Sequence, residues 1–188
     1  HFVDIVAEST HSTAQAIDLQ WDSTGELTID GMRSEAVSGG IAPLFSLAIQ
    51  QGAARLGSPQ STTTLPGALF NASNVSLMGV VRLFAGENPV VNTGVIELGD
   101  FSLQTGESSG ELQNSGTISG SASSSVLVEN EILLTGDGVI SSLLEVSGPL
   151  GVDSQSLDGG IRVTSQGDLT LSAAGLVQTS DITVEGGG

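Results

Sequence analysis

The sequence predicts an all-β fold, a parallel β-helix (β-solenoid) with about 21–22 residues per coil and a less regular N-terminal cap. Three observations lead there. Ile96, Ile118, Ile140, Ile161 and Ile182 stand 22, 22, 21 and 21 residues apart, and a fixed period of this size marks one supersecondary unit stacked on itself. Gly94, Gly116, Gly138 and Gly159 each lie two residues ahead of an isoleucine, which sets a tight corner in register with the strand. Apolar and polar residues alternate, as in Ile161-Arg162-Val163 and Ile182-Thr183-Val184, so each strand has one face in a core and one in water.

In chain order, residues 1–74 read as an irregular, β-rich cap or insertion. Phe2–Val6, Ile17–Trp21 and Glu26–Asp30 alternate like strands, with Asp22–Gly25 as a turn between the last two. Ile5, Ile17, Ile29 and Ile41 are 12 apart, consistent with a capping sheet or with wider coils. Over 43–56, Leu44, Leu47, Ala48 and Leu56 fall at helix-like spacing. Pro43 sits in the first turn and Gly57 acts as a stop, predicting a short helix that covers a coil end. Ser58–Gly67 reads as an exposed loop.

The shaft is 75–188, because Val75 and Leu77 lie 21 residues before Ile96 and Leu98. Counted from each isoleucine, apolar pairs recur near +8 and +10 (Val126 and Val128, Leu150 and Val152, Leu169 and Leu171). A third set falls near +15 to +17 (Leu112, Leu134, Leu157, Leu176), giving three strands per coil. Asn71, Asn92 and Asn114 recur four residues ahead of the strand position. They form either a ladder of stacked side-chain amides or a set of ordinary turn residues.

Composition sets further bounds. Aromatics are 3% of the chain with no Tyr, so Val, Ile, Leu and Ala must fill the interior. With no Cys, neither disulfides nor thiolate metal sites form. Four arginines and no Lys stand against 21 acidic residues, for a net charge of −17, which repels nucleic acid and anionic membrane surfaces. No apolar run reaches the roughly 18 residues of a membrane span; the longest, Ile41–Ile49, is interrupted by Pro43. The chain opens His1-Phe2-Val3-Asp4 without a basic leader, as expected of a mature or trimmed piece of an exported protein.

Candidate chemistry is sparse. His1 and His11 are the only histidines, and no serine sits in a Gly-x-Ser-x-Gly elbow, so no catalytic residue and no cofactor is assigned. Asp137 and Asp158 occupy the same position of successive 21-residue units. They are expected to stack about 4.8 Å apart, where they could share a proton or recruit Ca²⁺. Asn71-Ala72-Ser73 and Asn74-Val75-Ser76 match the glycosylation triplet, but such triplets are common by chance in a Ser-rich chain, and a solvated turn Asn is the preferred reading of both.

Asn114-Ser-Gly-Thr-Ile-Ser-Gly120 and Gly167-Asp-Leu-Thr-Leu-Ser-Ala-Ala-Gly175 resemble repeat units of filamentous-haemagglutinin and autotransporter passenger domains of Gram-negative bacteria, over about residues 90–188. The resemblance implies a long right-handed β-helix exported to the cell surface. The secretion signatures Asn-Pro-Asn-Leu and Asn-Pro-Asn-Gly are absent, Asn88-Pro-Val-Val being the nearest approach, which implies an interior shaft segment. The expected function is non-enzymatic: a rigid acidic rod in an extracellular adhesin, with a host or cell-surface ligand as a partner, or a filament subunit. In the filament reading Phe2, Val3 and Ile5 of one copy receive the strand edge at Ile182 and Val184 of the next by head-to-tail strand addition, because the chain closes on three glycines that cap nothing. A carbohydrate-active β-helix enzyme or a phage fibre is the minor alternative.

Overall fold

A computed structural model describes residues 2–10, 12–13, 16–40, 44–65, 67–83, 89–105, 109–172 and 177–186. His1, His11, Ile41 to Pro43, Asn88 and Leu176 lie outside them. The described residues form twenty-two strands and no helix. They stack as a parallel β-solenoid of about 6 turns with a less regular N-terminal segment. Each coil bends through three flat faces, and each face is a ladder of parallel strands one coil apart.

Face one runs through Gly67–Asn71, Val90–Asn92, Gly110–Asn114, Ile132–Thr135, Pro149–Val152 and Asp168–Leu171. Its inward column is Leu47, Leu69, Val90, Leu112, Leu134 and Val152, all buried. Face two stacks Ala54, Val75, Ile96, Ile118 and Ile140, and then Leu157. Face three stacks Val81, Leu103, Val126, Leu144 and Ile161 beside Leu83, Val128, Val146 and Val163. The alternation follows from the strand's two-residue period. Burial of one such aliphatic side chain contributes about 1.5–3 kcal/mol, so stability accumulates coil by coil. Ile118 and Ile140 are both 0% exposed whereas Ser141 is exposed, and the inward register predicted for them holds.

The isoleucine period, however, spans a slip of one face. Ile96, Ile118 and Ile140 pair directly, each one full coil after the last. Ile161 is not the next member of that column. Val139 pairs with Ser156, so Leu157 completes the coil from Ile140, and a short corner then carries the chain to Ile161 on face three. The cause is corner length. Gly120 to Ser124 separate the strand ending at Ser119 from the one starting at Ser125, but only Ser141 and Ser142 separate Ile140 from Leu143. Hydrogen bonds between successive coils record the same contraction. Arg82 and Gln104 are 22 positions apart in the chain, Ser124 and Ser142 are 18 apart, and Glu145 and Arg162 are 17 apart.

Three expectations for residues 1–74 are corrected. The predicted helix over 43–56 is absent: Leu44–Leu56 is a 13-residue strand. It is hydrogen-bonded on one side to Ala16–Ala36 and on the other to Gly67–Asn71 and Asn74–Leu77. Over residues 46–56, Leu47, Ile49, Ala54 and Leu56 are buried, alternating on each side of Gly52, where φ is +72°. A helix would leave the flanking strands without a ladder partner, and that tertiary demand overrides the local spacing. Within Ser58–Gly67, Thr62–Leu65 is the first strand of face three, with Thr63 and Leu65 buried. The Asp22–Gly25 turn is a coil corner inside the strand Ala16–Ala36, where the register shifts between Trp21 and Asp22 and again before Glu26. Phe2–Ser9 adds one more parallel strand, paired to the 28–36 portion of Ala16–Ala36.

The recurring glycines answer to space rather than to backbone conformation. A Cβ on Gly94 would stand 2.0 Å from the Ser73 carbonyl oxygen, one on Gly116 2.0 Å from that of Gly94, and one on Gly138 2.4 Å from that of Gly116. Each glycine thus packs against the carbonyl of the corner one coil away. Gly159 belongs to another column, against Ser142, as the slip requires. Gly116→Ala is therefore expected to destabilise the chain by about 2–3 kcal/mol in urea unfolding, against less than about 0.5 for Gly186→Ala, whose Cβ would meet nothing within 4 Å.

Candidate functional site

The best-organised polar group of the molecule is internal. Asn71 Nδ2 donates to Asn92 Oδ1 at 2.8 Å, and Asn92 Nδ2 donates to Asn114 Oδ1 at 2.8 Å. Each amide also donates to a backbone carbonyl of the following coil: Asn71 to Val95 at 3.0 Å and Asn92 to Thr117 at 3.4 Å. All three asparagines are 0–1% exposed. Of the two readings of their spacing, the ladder is therefore the one that forms. Its burial leaves Asn71 enclosed, contrary to a solvated turn residue or a glycan acceptor, while Asn74 is exposed.

One member of the column escaped the sequence reading. The position after Asn114 is Gly136, with φ +101° and no side chain to contribute. Gln155, 2% exposed, fills the gap with a longer side chain. Its Nε2 donates to the carbonyls of Asn114 and Thr135, both at 2.8 Å, while its Oε1 accepts from Asn114 Nδ2 at 3.0 Å. The interval of 41 residues from Asn114, nearly two coils, was the available signal. A buried amide with all its donors matched contributes little by itself, but an unmatched one is costly, so the column specifies coil register.

The outer faces carry scattered charge. On face three, Arg82 donates to Gln104 Oε1 (3.1 and 3.3 Å) and to Glu129 Oε2 at 3.2 Å, tying neighbouring coils together. Arg162 pairs with Glu145 one coil away, and the carboxylate holds its guanidinium above the usual arginine range. Arg55 pairs with Glu26. These pairs are part-exposed, and each contributes under about 1 kcal/mol. At a corner, hydroxyl hydrogen bonds from Ser121 and Ser123 hold the Asp100 carboxyl below its ordinary range.

Asp137 and Asp158 do not stack. The pairing of Val139 with Ser156 puts Asp158 beside Ser141, while Asp137 precedes Val139 by two residues. The two carboxylates are four register positions apart. The slip that moves Ile161 to another face moves Asp158 with it. Asp158 instead accepts from the hydroxyl of Ser156 at 2.7 Å. Among the described residues no three His, Asp or Glu side chains converge to hold a metal ion, and no helix is long and apolar enough to cross a membrane.

The residues assigned to assembly sit at the two ends of the stack. Phe2 and Val3 begin the strand that pairs with Thr28 and Ile29, and Ile5 is half-buried. Ile182 and Val184 form the last rung of face three, paired with Ile161 and Val163. They are 41% and 68% exposed, in columns whose other apolar members are buried. The arrangement defines a class: an all-β, three-faced solenoid whose polar interior is spent on its own register. No protein family, no curated protein and no solved structure matches the chain.

Proposed function

We propose that the protein is a non-enzymatic structural element, a rigid acidic β-solenoid segment of a bacterial surface adhesin that works outside the cell. The observation that carries the proposal is the use made of the interior: aliphatic columns on all three faces and one amide column, running from coil to coil. The enclosed amides are bonded to those of neighbouring coils, and that favours mechanical continuity over turnover. The charge of −17 keeps a strand-rich rod soluble and apart from its neighbours. It also argues against nucleic acid or an anionic membrane as partner; a neutral host or cell-surface ligand suits it better. Intact mass of the protein from its native source tests this reading. A product several times larger than 18.9 kDa is expected of a passenger, and a native product of that mass would contradict it.

A second reading, a self-polymerising filament subunit, rests on the parallel ladder of face three, whose edge at Ile182–Val184 can be extended by a further strand from another copy. In it that edge receives the Phe2–Ser9 strand of the next copy. Ile182→Asp should then abolish filaments seen by electron microscopy, and filaments that survive the change would exclude the contact. The proposal also predicts no hydrolysis of glycans, esters or peptides. Defined carbohydrate cleavage that vanishes in Asp137→Asn or Asp158→Asn would overturn it in favour of a carbohydrate-active enzyme.

A further inference from the structure

Charge is unevenly distributed along the rod. Seven acidic residues precede position 36 and 14 follow position 86, while residues 36–86 contain none and carry only Arg55 and Arg82. Both arginines are engaged by carboxylates or amides. In the stack this stretch forms the strands Leu44–Leu56 to Val80–Leu83, a nearly neutral belt around an otherwise anionic rod.

On face one the belt is also apolar. Ala48, Phe70 and Val91 are adjacent in the register and point outward, and Phe70 is 40% exposed. Gln50, Ala72 and Thr93 flank them, lining an open groove of about 510 Å³. In the window's own row the residues on either side are the neutral Gln20, beside Ala48, and Gln113, beside Val91. The carboxylates of Asp18 and Glu111 stand one outward row away, Asp18 beside Ser46 and Glu111 one residue before Leu112.

We propose that two copies of this chain pair side by side through this window, Phe70 against the same face of the partner. The charge pattern selects the occupant. A basic partner would seek the carboxylates that the window lacks. Another copy of a chain with charge −17 can approach closely only where carboxylates are missing from both surfaces. A two-fold arrangement satisfies this, because one patch then serves both copies. Three strands by five residues cover roughly 240 Å², well below the roughly 800 Å² per partner of a standard interface, so the pairing is weak and matters at high local density, as on a crowded surface. It does not depend on the adhesin reading or on head-to-tail addition.

Sedimentation velocity on the full chain, up to about 1 mM and at low and high NaCl, tests the pairing. Dimer is expected to increase with salt, since screening relieves like-charge repulsion. Phe70→Glu should lower the association constant at least about tenfold and Phe70→Ser less. Neither should alter the far-ultraviolet circular dichroism, because the side chain is exposed. Leu133→Glu is the control: it is 47% exposed on the same face but pairs beside Glu111, and it should leave association within about twofold. A monomer at every salt, equal weakening by Leu133→Glu, or an oligomer lost in Ile182→Asp but kept in Phe70→Glu would each overturn the proposal. Retention of an immobilised neutral glycan that Phe70→Glu abolishes, with no dimer, would reassign the window to that ligand and overturn it too.

Discussion

Ile140→Asp is expected to destabilise the protein by about 4 kcal/mol or more, the cost of burying a carboxylate without a partner. Ile140 is 0% exposed between Ile118 and Leu157, with only aliphatic neighbours in its column. Ser141→Asp, one residue on, points to solvent and should change stability by less than about 1 kcal/mol. Urea unfolding of both variants provides the check. Equal losses would mean that the strand does not place 140 inside, and the face assignment would fail with it. Because the unit is a stack, a buried charge there should also loosen the adjacent coils first.

Asn92→Ala is expected to cost about 2–4 kcal/mol, combining a small cavity with amides stranded on both sides. Asn92 accepts from Asn71 and donates to Asn114 and to the Thr117 carbonyl. Its removal strands one N–H of Asn71 and the Oδ1 of Asn114, and takes one hydrogen bond from the Thr117 carbonyl. Asn74→Ala, at an exposed position, should fall within about 0.5 kcal/mol. A double-mutant cycle with Asn114→Ala should show strong coupling, since the two share a bond. Additive losses would mean that the column is a row of independent turn residues.

Much of the architecture was legible because strand alternation and stacking both leave a repeat in the sequence. Ile96, Ile118 and Ile140 share one column, and Asn71, Asn92 and Asn114 another, at the intervals that the spacing suggested. What could not be read was corner length. Ile161 and Asp158 kept the arithmetic of the period while changing faces, because a shortened coil plus one corner equals an ordinary coil in residue count. Residue identity marks inward positions, and any of the three faces can supply an inward isoleucine.

The N-terminal misreading has a different origin. Leu44, Leu47 and Ala48 satisfy a helical stripe, but Leu47 and Ile49 equally satisfy a strand, and partners on both sides decide between them. Those partners are invisible to local spacing. Gln155 was missed for a related reason: its column is defined in space, and it reaches across a coil in which Gly136 contributes no side chain.

Three ladders continue through the contracted coils, with Glu145 beside Arg162. The chain contains no cysteine, so paired substitutions test this without background. Glu145→Cys with Arg162→Cys puts two outward thiols on adjacent strands, within reach of a short thiol-specific cross-linker. Ser141→Cys with Arg162→Cys is the pair that an unbroken isoleucine period would bring together. Rapid intramolecular cross-linking of the first pair and little of the second is the predicted result; the reverse would contradict the fold as described.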